Sequence, residues 1–133
     1  MLKKGLIAGF LNLLVGLGLN WGVSLVLPGI LKEYQNTAIF RSWNDPLMMV
    51  YFAYPFIVGI ALAYLWNLVH KQFKGEPLSK AFDFAKMYFL IATIPGMFIS
   101  YTSFQLSLSM VLLWTAVGFL QALVAGLVFA KAK

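Results

Sequence analysis

The run GLIAGFLNLLVGLGLNWGVSLVL, residues 5–27, decides what kind of protein this is. Preceded by Met1-Leu2-Lys3-Lys4, it has the outline of a secretory signal. The apolar core of such a signal is only about 7–15 residues long and ends at a small-x-small cleavage site. This run is longer and no such site follows it, so it reads as a retained helix. At about 1.5 Å per residue it can cross the roughly 30 Å of hydrocarbon in a bilayer.

Three further apolar runs, at about 47–69, 84–103 and 106–130, meet the same length test. Of the 133 residues, 62% are hydrophobic and 11% are charged, and the mean hydropathy is +0.85. A soluble domain carries roughly 25% charged residues. The expectation is an all-α polytopic membrane protein, a single domain over residues 1–133 with four transmembrane helices in an antiparallel bundle. Cysteine is absent, which excludes disulfides, thiolate nucleophiles and Cys-ligated metals.

The net charge of +6 does not point to nucleic acid. Basic residues that bind nucleic acid cluster on a wetted face, whereas here they flank apolar runs. Lys3, Lys4, Lys71, Lys74, Lys80, Lys86, Lys131 and Lys133 fall on one side, and Lys32 and Arg41 on the other. The positive-inside rule assigns the first group to the cytoplasm. Both termini and the loop 70–83 are then expected inside, and residues 28–46 outside.

Each span carries a stripe of small residues. A helix turns about 100° per residue, which aligns Gly5, Gly9, Asn12, Gly16 and Asn20, with Gly18 and Gly22 nearly opposite. Span 1 is therefore expected to touch two neighbours. Pro55, Gly59, Ala63 and Asn67 form the stripe of span 2. Ala85, Ala92, Gly96, Ser100 and Ser103 line span 3, and Gly118, Ala122, Gly126 and Ala130 line span 4. Small residues let helices approach closely in lipid, and amides bond across them for about 0.6 kcal/mol each. Gly9, Asn12, Gly16, Gly59, Gly96, Gly118, Ala122 and Gly126 are accordingly the candidate packing residues. Pro55 and Pro95 are expected to kink their spans, because each removes the bond to the carbonyl four residues earlier. Pro28-Gly29 should end span 1. Asp45-Pro46 reads as a cap and first position for span 2, and Ser79 as the cap of a helix leading into span 3.

The segment 28–46, PGILKEYQNTAIFRSWNDP, holds two of the four acids and the only arginine. Ile30, Leu31 and Tyr34 share one helical face, and Ile39, Phe40 and Trp43 another, with a break at Asn36-Thr37. That pattern predicts two short amphipathic turns in the headgroup layer. Tyr34, Arg41 and Trp43 are of the types enriched in binding hot spots, and they form the candidate partner-docking face. The plainer reading pairs Glu33 with Arg41 or with headgroups and leaves Asp45 as a cap.

No ionisable side chain sits deep in any span, which disfavours an ion-coupled carrier. His70 is the one histidine. Without a second ligand it reads as an interfacial side chain and not as an axial haem or pigment ligand. No catalytic, metal or cofactor site is expected. Glu33-Tyr34-Gln35-Asn36, Phe40-Arg41-x-Trp43-x-Asp45-Pro46 and Ile94-Pro95-Gly96-Met97-Phe98-Ile99-Ser100-Tyr101 resemble segments of small uncharacterised bacterial inner-membrane proteins with four spans. The resemblance implies that fold and that membrane, and brings no activity or site residues with it. The leading expectation is a non-enzymatic accessory or scaffolding subunit whose partners are the bilayer and other membrane-protein subunits or a second copy. A dimeric channel or carrier for a neutral or lipophilic solute is one alternative. The other is a lipid-modifying enzyme at the outer face using Glu33 or Asp45.

Overall fold

The computed structural model describes residues 1–132. Lys133, counted above on the basic side, lies outside the described residues. Among those described the chain forms five helices: α1 (Leu2–Val26), α2 (Pro28–Tyr34), α3 (Pro46–Gln72), α4 (Pro77–Ser103) and α5 (Leu108–Lys131). The four long ones, of 25, 27, 27 and 24 residues, are apolar enough and long enough to cross a membrane. They pack antiparallel, as expected of a multi-pass membrane protein. α1 lies between α3 and α5, and α4 packs chiefly against α5.

Glycine backbones set the α1–α3 contact. A methyl added to Gly59 would lie 2.6 Å from the Gly9 nitrogen and 2.8 Å from its Cα, and would overlap the Gly5 carbonyl. One added to Gly9 would lie 2.7 Å from the Phe56 Cα. Such distances leave no room for any side chain, so the two backbones touch directly. Further along α1, a methyl at Gly16 would meet Gln121 of α5 at 3.2 Å, and Gln121 Nε2 donates to the Asn12 carbonyl at 3.0 Å. Asn12 itself is 1% exposed. A single stripe therefore serves both neighbours, its first half meeting α3 and its second half α5. Gly18 and Gly22, expected to contact the second neighbour, face open space instead.

The stripe on α5 seats α4. A methyl at Gly126 would lie 3.0 Å from the Ala81 Cα, and one at Gly118 would lie 3.1 Å from Thr93 Cγ2. Ala122 between them is fully buried. The α4 stripe is not the expected one. A π-turn at Phe89–Thr93 inserts about one extra residue into the helix, which advances the inward face by about one position. Thr93 is buried where Ala92 was expected, and Met97 packs on the core where Gly96 was expected. Nothing lies within 4 Å of a methyl built on Gly96.

The prolines act through the same adjustments. Pro55 has no N–H to offer the Tyr51 carbonyl, and the Tyr54 N–H takes its place. α3 accordingly runs as a 3₁₀ helix over Pro46–Ala53 and becomes α-helical from Tyr54. The expected bend within an α-helix is thus a change of helix type. Ahead of Pro95, the Ile94 N–H reaches back five residues to the Phe89 carbonyl. At the helix ends, Pro28 closes α1 as expected: Leu27 (φ −124, ψ 77) breaks α1 from α2, because a residue before proline is pushed towards extended backbone. Gly29 makes no turn and lies within α2, and a second expectation is corrected at the start of α4. α4 begins at Pro77 with no side-chain cap, and Ser79 lies inside its first turn. Gly75 at φ +93 makes the preceding turn, in the region where glycine carries no Cβ penalty.

Two apolar clusters fill the bundle. Near the basic end Trp66, Phe84 and Phe129 pack edge-on or tilted around Ala8, Leu62 and Ala125, with ring centroids 5.3 to 6.2 Å apart. At the opposite end Leu106, Met110, Val111, Leu113 and Val117 of the α5 region enclose Ile30 of α2. Gly59→Ala and Gly9→Ala are each expected to cost about 1–3 kcal/mol through forced separation of α1 and α3. Gly18→Ala and Gly22→Ala should stay within about 0.5 kcal/mol of the native protein. Reversible unfolding in mixed detergent micelles measures both.

Candidate functional site

Residues 28–46 fold back over one end of the bundle and are fastened there at several points. Ile30, 3% exposed, enters the apolar cluster. The Tyr34 hydroxyl accepts from Trp114 Nε1 at 2.6 Å and donates to Asn20 Oδ1 at 3.1 Å. Asn20 Nδ2 in turn donates to the Gly16 carbonyl at 2.8 Å. The phenol thus joins α1, α2 and α5. Burial raises its pKa above the ordinary tyrosine value, against the lowering influence of the Trp114 hydrogen bond. It therefore stays protonated and can donate and accept at once.

Glu33 makes the second fastening. Its carboxylate accepts from the Ser107 N–H at 2.6 Å and from Ser107 Oγ at 2.5 Å. Ser107 caps α5, its Oγ accepting from the Met110 N–H at 3.2 Å. The negative charge of Glu33 thus sits at the positive end of the α5 dipole. The expected Glu33–Arg41 pair does not form. Arg41 Nη1 instead lies 2.8 Å from Asp45 Oδ2, while Asp45 Oδ1 accepts from the Leu47 N–H at 2.9 Å. Asp45 is therefore the cap expected for α3. The hydrogen bond from Arg41, followed by that from Leu47, holds its carboxyl below the ordinary aspartate range.

The second amphipathic turn expected in this segment is not helical. Asn36 bends the chain, its side chain accepting from the Ala38 N–H at 3.1 Å and its carbonyl from the Ile39 and Phe40 N–H groups at 3.1 and 2.9 Å. Phe40 turns inward, edge-on to Trp114 at 6.0 Å and 5.2 Å from the Tyr34 ring. Trp43 goes elsewhere. It is 60% exposed and lies 6.2 Å from both Tyr51 and Phe52, ring centroid to centroid.

The three candidate docking residues are therefore divided. Tyr34 is committed to the interior, while Arg41 and Trp43 stand on the surface, Trp43 beside the exposed rings of Tyr51 and Phe52. Those two rings were missed because they fall inside an apolar run, where aromatic residues read as lipid-facing. Trp114 was missed as a partner for Tyr34, although a buried indole N–H usually finds an acceptor. Chemically, the surface offers a guanidinium and three aromatic rings. Among the described residues no group of three His, Asp or Glu gathers that could hold a metal.

Tyr34→Phe removes the acceptor for Trp114 and is expected to cost about 1–3 kcal/mol, read from unfolding midpoints in micelles. The lowered pKa of Asp45 stabilises the 41–47 turn above its unfolded-state value of about 3.9. That contribution is lost as the pH falls through the lowered folded-state value. The Leu47 amide resonance should report the titration, and Arg41→Gln should move its midpoint upward.

No family model, no curated protein and no solved structure matches this chain. Four antiparallel apolar helices make it a multi-pass membrane protein.

Proposed function

We propose that the protein is a non-enzymatic accessory or scaffolding subunit of a membrane complex, docking a partner through Arg41 and Trp43. The observation that carries this reading is the exposure of Trp43 on a segment where Ile30 and Phe40 turn inward and Leu31 is the other large apolar side chain left exposed. The turn that presents it is held by the Arg41–Asp45 pair and the Asp45 cap. An exposed tryptophan and arginine on a preorganised turn make up the composition from which interface anchors are drawn. Enzymatic use of the two acids in this segment is disfavoured, because each is engaged at the N-terminus of a helix. The uneven division of lysines supports a placement with both termini cytoplasmic and residues 28–46 outside. The resemblance to bacterial four-span proteins supports the inner membrane as its site.

Purification in mild detergent followed by mass spectrometry tests the docking. Arg41→Ala/Trp43→Ala is expected to release a co-purifying membrane protein by at least about 30-fold, the effect of losing one hot spot, while the chain remains inserted. A partner retained by the double variant would overturn the reading, as would a native protein that migrates alone. An arginine-specific protease has a single target in this sequence, Arg41. It should cut the chain in sealed right-side-out vesicles and not in inverted ones.

A further inference from the structure

We infer that the basic end of the bundle holds a site for the phosphate of an anionic phospholipid headgroup. A cleft of about 250 Å³ opens there, with Lys4, Asn67, His70 and Lys80 on its polar side and Trp66 and Phe129 on its apolar side. All four long helices contribute to it. Among the described residues no acid lines it, and Asp83 nearby is paired with Lys86 at 2.8 Å.

The polar groups are oriented. His70 Nδ1 lies 3.1 Å from the Trp66 carbonyl and 3.2 Å from the Asn67 carbonyl. A carbonyl only accepts, so Nδ1 carries the proton and Nε2 is left for another partner. The imidazole stacks on the Trp66 ring at 6.2 Å and 18°. Lys4 Nζ donates to the Ala132 carbonyl at 2.6 Å, which uses one of its three donors. Taken alone, Lys4 and His70 could be read as side-chain donors closing the carbonyl ends of α5 and α3. Lys80 does not fit that account. It stands in the first turn of α4, where the helix dipole disfavours a cation, yet its side chain lines the same cleft. An anion held between Lys4 and Lys80 explains why lysines from two different helices line one polar cavity.

Size and position select the ligand. Pockets for drug-sized molecules run to about 300–1,000 Å³, so this cleft of about 250 Å³ suits a group the size of a headgroup. It lies at one end of the four apolar helices, and basic pockets between transmembrane helices are known to take such headgroups.

Native mass spectrometry of the full chain, titrated with phosphatidylglycerol and with phosphatidylcholine, tests the inference. The native protein is expected to retain phosphatidylglycerol preferentially. Lys4→Gln/Lys80→Gln should bind it about 30-fold more weakly, from about one unit charge lost at each lysine. Lys3→Gln/Lys71→Gln, at exposed positions of the same end, should bind as the native chain does. Lys4→Arg/Lys80→Arg, which keeps both charges, should retain binding and so separates loss of charge from loss of fold. Equal loss in the two glutamine pairs would overturn the site in favour of diffuse surface charge. Unchanged binding by Lys4→Gln/Lys80→Gln would also overturn it, as would failure of the arginine pair. Displacement of the lipid by millimolar inorganic phosphate would overturn the headgroup as occupant.

Discussion

Direct contact between the backbones of Gly5, Gly9 and Gly59 is the constraint on which the arrangement depends. Apolar side chains gain nothing by leaving lipid for a helix interface, so close packing must supply the attraction. Where the backbones touch, Gly5 lies against Ile60 and Gly9 against Phe56, and the two helices lock in register. That register places Asn12 and Gly16 against Gln121, which positions α5, and the α5 stripe then seats α4 through Gly118 and Gly126. The same register brings Lys4 level with the end of α5.

A second constraint comes from the absence of water at membrane depth, where each backbone polar group needs a partner inside the protein. Five prolines would seem a poor choice for such a chain. Three of them, Pro28, Pro46 and Pro77, open helices, at positions where an N–H would have no intrahelical partner in any case. The other two are accommodated by tightening α3 into a 3₁₀ helix before Pro55 and by loosening α4 into a π-turn before Pro95. Each helix therefore crosses as one continuous rod of changing pitch.

The spans, their antiparallel order and the α3 cap were legible in the sequence, because they rest on local signals: run length, charge at the ends, and an Asp-Pro pair. The helix faces were legible only in part. Gly5, Gly9 and Gly59 could be read from an ideal helical repeat because α1 and the relevant part of α3 keep that repeat. Ala92 and Gly96 could not, since a π-turn leaves no mark on composition yet moves every later residue around the helix. Gly18 and Gly22 show that a small face is permission for contact and not a guarantee of it. The candidate docking face divided for a different reason. Tyr34, Arg41 and Trp43 are close in sequence, but the position of Tyr34 is decided by Asn20 and Trp114, which no local pattern connects to it.

The bond from Glu33 to Ser107 joins residues 74 positions apart, and that separation has a meaning in time. A ribosome adds about 5–20 residues per second, so roughly 4–15 seconds pass between synthesis of the carboxylate and synthesis of its acceptor site. Throughout that interval α2 lacks both of its hydrogen-bonded anchors on the last helix, because Trp114 has not yet been made either. The cover over this end of the bundle therefore closes only after the last helix has begun to emerge. Until the last helix inserts, the nascent chain is an open vessel, and any factor that attends its assembly meets the segment 28–46 before α5 does.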